Sequence, residues 1–172
     1  MSKPIIRELN EGDADSFWKL WLRALKEEPE SFGAAYEESV DTPIADVAKR
    51  LSNSNDSFVI GAFNPNLVGM IGMFRRQGQK MRHKGIIWGM YVAPEGRGQG
   101  LGKALMSAAL ERASTILDLE HLMLSVVTTK EAARNLYLSL GFKTYGVESE
   151  ALKIGESALD EELMTFKLKP GV

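Results

Sequence analysis

Val92-Ala93-Pro94-Glu95-Gly96-Arg97-Gly98-Gln99-Gly100-Leu101-Gly102-Lys103 is the stretch from which the rest of the chain can be read. It follows an apolar run, Gly85 to Val92, and leads into Leu101 to Leu117, where Leu105, Ala109, Ala113 and Ile116 recur at helical spacing. Ile86, Trp88, Met90 and Val92 fall on one face of the run, Ile87 and Tyr91 on the other. It therefore reads as a central strand, apolar on both sides, that Pro94-Glu95-Gly96 brings to an end. Alternate glycines in a loop that opens a helix leave backbone N–H groups free beside the positive end of the helix dipole. They also permit the left-handed conformations of an amide nest, and Arg97 and Lys103 add positive charge. Such a loop suits a phosphate.

Which phosphate is decided by spacing. A P-loop requires G-x-x-x-x-G-K-[ST]; here Arg97 stands at the first glycine position and Ala104 follows Lys103, so the pattern fails twice. A dinucleotide fingerprint requires G-x-G-x-x-G, and Leu101 or Lys103 stands where the third glycine belongs. Asp118 and Glu120 lie at a suitable distance for a ribose contact, but the core of that motif does not match.

Outward from the loop, Ile5 to Leu9 reads as a short strand, and Asp13 is placed to cap a helix carrying Phe17, Leu20, Trp21, Ala24 and Leu25. Pro29 closes that helix, a less regular polar segment runs from Glu30 to Val40, and a second helix is expected from about Pro43 to Leu51. Ser57 to Phe63 and Leu67 to Arg76 read as strands joined by Asn64-Pro65-Asn66. Beyond the loop, His121 to Val127 returns as a strand. Glu131 to Leu140 follows as a helix that buries Ala132, Ala133, Leu136, Tyr137 and Leu140, with Gly141 as its C-terminal cap. Phe142 to Val147 and Leu163 to Leu168 read as the last strands. This order predicts an α+β fold on a mixed sheet. With no repeat or long linker, residues 1–172 are expected to form a single domain.

Composition excludes several classes. A net charge of −2 gives no general drive toward nucleic acid or an anionic membrane. The absence of cysteine removes disulfides, thiolate metal sites and a cysteine nucleophile, and suits a reducing cytoplasm. No segment approaches the roughly 20 apolar residues of a membrane span, and the N-terminus lacks an apolar stretch of signal-peptide length. His83 and His121 are far apart in the sequence and lack metal-ligand spacing, so no metal is expected. Arg75, Arg76, Lys80, Arg82 and Lys84 form a basic cluster between two strands that reads as a solvated hairpin or, alternatively, as a contact for an acidic partner or a phosphate.

Two motifs together carry a resemblance. Arg97, Gly100 and Gly102 satisfy [QR]-x-x-G-x-[GA], and Ala133-Arg134-Asn135-Leu136-Tyr137-Leu138-Ser139-Leu140-Gly141-Phe142 satisfies A-x-x-L-Y-x-x-x-G-F. In this order, with a strand between them, they resemble the GNAT acetyltransferase superfamily. The resemblance implies a mostly antiparallel mixed sheet with helices on both faces. It also implies acetyl-CoA as co-substrate and direct transfer of acetyl to a primary amine on a small molecule or peptide. Backbone groups of Met90, Tyr91 and Val92 would pair with the pantetheine arm like an added strand. Amides of Arg97, Gly98, Gln99, Gly100, Leu101, Gly102 and Lys103 would hold the pyrophosphate. Many members carry Asn where this chain has Lys130, so that side-chain contact is lost here.

For the chemistry, a backbone N–H such as that of Met90 would polarise the thioester carbonyl. Tyr137 is the acid that the second motif implies. Glu37, with Glu38, lies where the family commonly builds its acceptor site and is the candidate base. With Glu27, Glu28 and Glu30 these residues point to a cationic acceptor, and Trp88 is placed to line its cleft. Two other readings keep the fold: a different acyl-CoA as donor, or a CoA-binding sensor without efficient catalysis. The superfamily often forms homodimers, frequently through its C-terminal strands.

Overall fold

A computed structural model of the protein describes residues 2–169. Seven strands form one sheet: β1 (Ile5–Glu8), β2 (Ser57–Phe63), β3 (Leu67–Arg75), β4 (Lys84–Val92), β5 (His121–Val127), β6 (Lys143–Ile154) and β7 (Ser157–Lys167). Their order is β1-β2-β3-β4-β5-β7-β6, and all neighbours are antiparallel except β4 and β5. Five helices, α1 (Ala14–Glu27), α2 (Tyr36–Ser39), α3 (Ile44–Arg50), α4 (Leu101–Ser114) and α5 (Glu131–Ser139), complete the α+β fold. α1 lies on one face, where Trp21 meets Trp88 of β4. α4 and α5 lie on the other, where Gly102 approaches both Met90 and Leu136. The mixed, mostly antiparallel sheet with helices on both faces is the arrangement expected.

β4 departs from simple alternation. Gly89 has φ +66°, and the β3–β4 register slips between Met70 and Gly72, so β4 carries an extra residue there. Glycine accepts this left-handed conformation without a steric penalty, and the bulge bends the strand. The expected division of faces is therefore corrected beyond Gly89. Trp88 and Tyr91 both point toward α1, packing on Trp21 and Phe32 at 5.6 and 6.4 Å between ring centroids. Met90 points toward α4.

The bend leaves β4 and β5 paired only from Lys84↔His121 to Ile86↔Met123. Beyond that point the two strands diverge. Ala93 N–H donates to Val68 O at 2.7 Å, so by strand alternation Tyr91 turns its backbone toward β3. Met90 and Val92 direct theirs into the gap.

Three further expectations are corrected. Asn10, not Asp13, caps the entry to α1: its Oδ1 accepts from Gly12 N–H at 2.9 Å, while Asp13 Oδ2 accepts from Asn10 N–H at 2.9 Å. This reciprocal pair closes a 3₁₀ turn ahead of the helix. The last two strands run well past Phe142 to Val147 and begin well before Leu163, because exposed polar residues continue the hairpin to its turn at Gly155. On α5 only Tyr137 is fully buried; Ala133 and Leu136 are half-buried and Ala132 is exposed, because this face borders a cleft rather than the core.

Candidate active site

The gap between β4 and β5 is the mouth of a cleft of about 940 Å³. This is the upper part of the usual range for a small-molecule site. Met90 and Val92 form one wall and Ser125 to Val127 the other, with Gly102 and Leu136 at the α4–α5 side and Trp21 and Trp88 at the α1 side.

The glycine loop lies at one end. Gly98 and Gly100 have φ +75° and +73°, and Gly100 is the N-cap of α4. An L-residue in this conformation costs roughly 1–2 kcal/mol, so glycine at both positions sets the shape of the loop. The first backbone bond of α4 runs from Ala104 N–H to Gly100 O at 3.0 Å. Among the described residues, no backbone acceptor meets the N–H groups of Gly98, Gln99, Gly100, Leu101, Gly102 or Lys103. Six donors at the start of a 14-residue helix make an anion cradle. Gln99 holds the loop from outside, accepting from Asn64 Nδ2 at 2.7 Å. Leu101 contributes only its backbone, since its side chain is core.

Arg97 and Lys130 border the cleft on opposite sides, and each is already paired. The Arg97 guanidinium donates to Glu28 at 2.7 Å and to Val92 O at 3.0 Å, and Lys130 Nζ donates to Glu30 at 2.7 Å. Both pairs are partly exposed, where such bridges contribute at most about 1 kcal/mol. An arriving phosphate can therefore displace Glu28 from Arg97. Lys130, at the position where the resemblance leads one to look for Asn, is engaged with the turn after α1, and Asn135 is exposed outside the cleft lining.

Tyr137 lies at the α5 side with its ring against Phe142. Burial pushes its phenol up to about 12, so the hydroxyl keeps its proton near neutral pH. Tyr91 is also raised, by burial and then by Glu27, but its hydroxyl already donates to Glu27 Oε2 at 2.6 Å. Glu27 also accepts from Arg23 at 2.9 Å, and Arg23 donates to Glu95 at 2.7 and 2.9 Å. This chain ties α1 to β4 and to the turn before the glycine loop, and Tyr91 has a holding role.

Glu37 and Glu38 do not join this constellation. Both are exposed on α2 outside the cleft lining, and Glu38 accepts from Ala35 N–H at 3.3 Å. The carboxylates that do border the cleft are Glu28, Glu131 and Glu161. Glu161 has no sequence signal because Ser157 to Glu162 pairs two apolar residues with three successive acidic ones and carries no strand alternation by itself. The basic run lies elsewhere, with Arg75 buried and donating to Arg82 O and Leu117 O, and Arg82 paired with Asp56. The fold brings the His83 and His121 rings to 6.2 Å, but among the described residues no three potential metal ligands converge. No described helix is long and apolar enough to cross a membrane.

Comparison with known proteins adds four findings. A spermidine N(1)-acetyltransferase from Vibrio cholerae is 29% identical over 120 residues, which is 70% of this chain and 64% of that protein's length. A GNAT-family acetyltransferase from Streptococcus pneumoniae superposes with a TM-score of 0.87 at 24% identity, covering 97% of this chain and all of that one. A phosphinothricin acetyltransferase from Sinorhizobium meliloti, solved with acetyl-CoA, superposes with a TM-score of 0.82 at 22% identity over 99% of this chain and 94% of that one. The model of the acetyltransferase (GNAT) family matches residues 16–142, a span holding both the glycine loop and the Tyr137 motif, and the chain belongs to that family.

Proposed function

We propose that the protein transfers the acetyl group of acetyl-CoA directly to a primary amine of a small cationic acceptor. The observation that carries this reading is the row of amides from Gly98 to Lys103, which meet no backbone acceptor among the described residues and reach the cleft wall at Gly102. A pyrophosphate in the cradle would set the pantetheine arm along the free edge of Met90 and Val92. The thioester would then lie in the gap, with Met90 N–H positioned to meet the developing oxyanion.

The amine must attack in its neutral form. Collapse of the adduct breaks the C–S bond, and Tyr137 O–H donates to the departing sulfur. A thiol with its value in water of about 8.5 is a stronger acid than the buried Tyr137 phenol at about 12, so transfer to such a thiolate would run uphill. The burial that raises Tyr137 also raises a thiol held in the same cleft, which brings the two closer to balance. The likeness to a spermidine N(1)-acetyltransferase and the carboxylates Glu28 and Glu161 at the cleft support a cationic amine as acceptor.

The test is release of free thiol from acetyl-CoA across a panel of spermidine, shorter diamines, amino acids and peptide N-termini. Turnover with the polycationic amines is expected. Binding of acetyl-CoA without turnover on any amine would remove the transfer reaction, and failure to bind coenzyme A would overturn the whole reading.

A further inference from the structure

Glu161 lies on β7 and borders the cleft. Its neighbour Glu162 accepts from Arg134 Nε of α5 at 2.9 Å and from Thr144 Oγ1 at 2.8 Å, which fixes Glu162 on the α5 face. The β5–β7 register is regular here, with Val127 opposite Glu161 and Val126 opposite Glu162. Alternation therefore turns Glu161 toward the α1 side, away from the face that carries the glycine loop helix and α5. It is half-buried and lines the same cleft as Tyr137 and Met90.

The other charges of the cleft are otherwise engaged or placed. Glu28 pairs with Arg97, Lys130 pairs with Glu30, and Glu131 is exposed at the first turn of α5. Among the described residues Glu161 has neither an ion pair nor a side-chain hydrogen bond. Burial and then the like charge of Glu148, on β6, raise its carboxyl from the ordinary value.

We propose that Glu161 receives the ammonium group of the acceptor and takes its first proton, so that the neutral amine can attack the thioester. This assignment rests on the acetyltransferase reading above. The ammonium N–H bond breaks and a proton passes to the Glu161 carboxylate, directly or through water. The nitrogen lone pair then forms the C–N bond, the C–S bond breaks, and the sulfur takes the Tyr137 proton. The remaining excess proton on nitrogen restores the Tyr137 phenol, and Glu161 returns its own to solvent. A carboxyl held above its usual range is a stronger base than an ordinary carboxylate, which favours this transfer.

The experiment compares wild type with Glu161→Gln and Glu148→Gln. It measures kcat/KM against pH for spermidine or, if that is not turned over, for the fastest amine of the panel. Acetyl-CoA affinity is followed by the fluorescence of Trp21 and Trp88. Glu161→Gln is expected to lower kcat/KM about 10²-fold near neutrality, to abolish the acid limb, and to leave acetyl-CoA affinity unchanged. Glu148→Gln removes the like charge and is expected to move the acid limb to lower pH. Wild-type kcat/KM and an unmoved limb in Glu161→Gln overturn the assignment while leaving the acetyltransferase reading intact. Should Glu161→Gln fold poorly, an unmoved limb in Glu148→Gln overturns it alone. No turnover by wild type on any amine overturns both.

Discussion

The hydroxyl of Tyr91 donates to Glu27 Oε2 at 2.6 Å, joining the last turn of α1 to the strand whose free edge walls the cleft. The bond is part-buried, with the Tyr91 ring in the core and the Glu27 carboxylate at the surface. Tyr91→Phe keeps the ring against Phe32 but loses this bond. The expected result is a melting temperature lower by several degrees, with kcat reduced less than the thermal stability suggests. A collapse of kcat with an unchanged melting temperature would move Tyr91 from holding to chemistry.

Tyr137→Phe leaves the packing on Phe142 in place and removes one hydroxyl at the cleft. Turnover is expected to fall about 10²-fold while acetyl-CoA binding stays within twofold. Equal kcat in the two proteins would exclude the acid role.

Gly98→Ala and Gly100→Ala meet no neighbouring atoms within 4 Å, so any effect arises from backbone conformation alone. Each forces a side chain into the left-handed region at roughly 1–2 kcal/mol. Weaker coenzyme A binding, by about tenfold or more and with little change in amine KM, is the expected outcome by calorimetry. Loss of amine affinity with intact coenzyme A binding would contradict the cradle.

Stability should fall at both ends of the pH scale, for opposite reasons. Asp13 is held below the ordinary carboxylate range chiefly by Arg7, and Glu162 chiefly by Arg134. Their contribution is present above about 4.3, the unfolded value for Glu, and is lost as pH falls through the folded values. Tyr137 is raised to about 12 by burial, so its folded form binds the proton more tightly. That contribution is complete below about 10 and declines as pH rises toward the folded value. Melting scans from pH 3 to 11 should show both declines, and Tyr137→Phe should soften the alkaline one.

The glycine loop and the Tyr137 motif were legible because each concentrates its meaning in a few adjacent residues. The division of β4 into faces was not, although Gly89 inside an apolar strand is itself a bulge signal. Strict alternation across Gly89 puts Tyr91 on the face opposite Trp88, whereas the extra residue turns both toward α1. The Asn10-to-Asp13 capping pair has a recognisable spacing, but Asp13 directly before the helix is itself a good cap residue and masks it. Glu37 is one of several acidic residues in one irregular segment, where nothing local indicates direction. Glu161 gains its place from pairing with a strand remote in sequence, and α5 shows whether its neighbour faces in or out.

The extra residue at Gly89 also bears on how this chain can tolerate change. Removing one residue between Trp88 and Tyr91 would leave composition, charge and core volume nearly untouched. It would restore an even count along β4, and the strand could then continue its ladder with β5 beyond Ile86 and Met123. The product would be a more regular sheet with its reactive edge sewn shut. In this chain an irregularity of one residue separates an unbroken sheet from one that opens into a cleft.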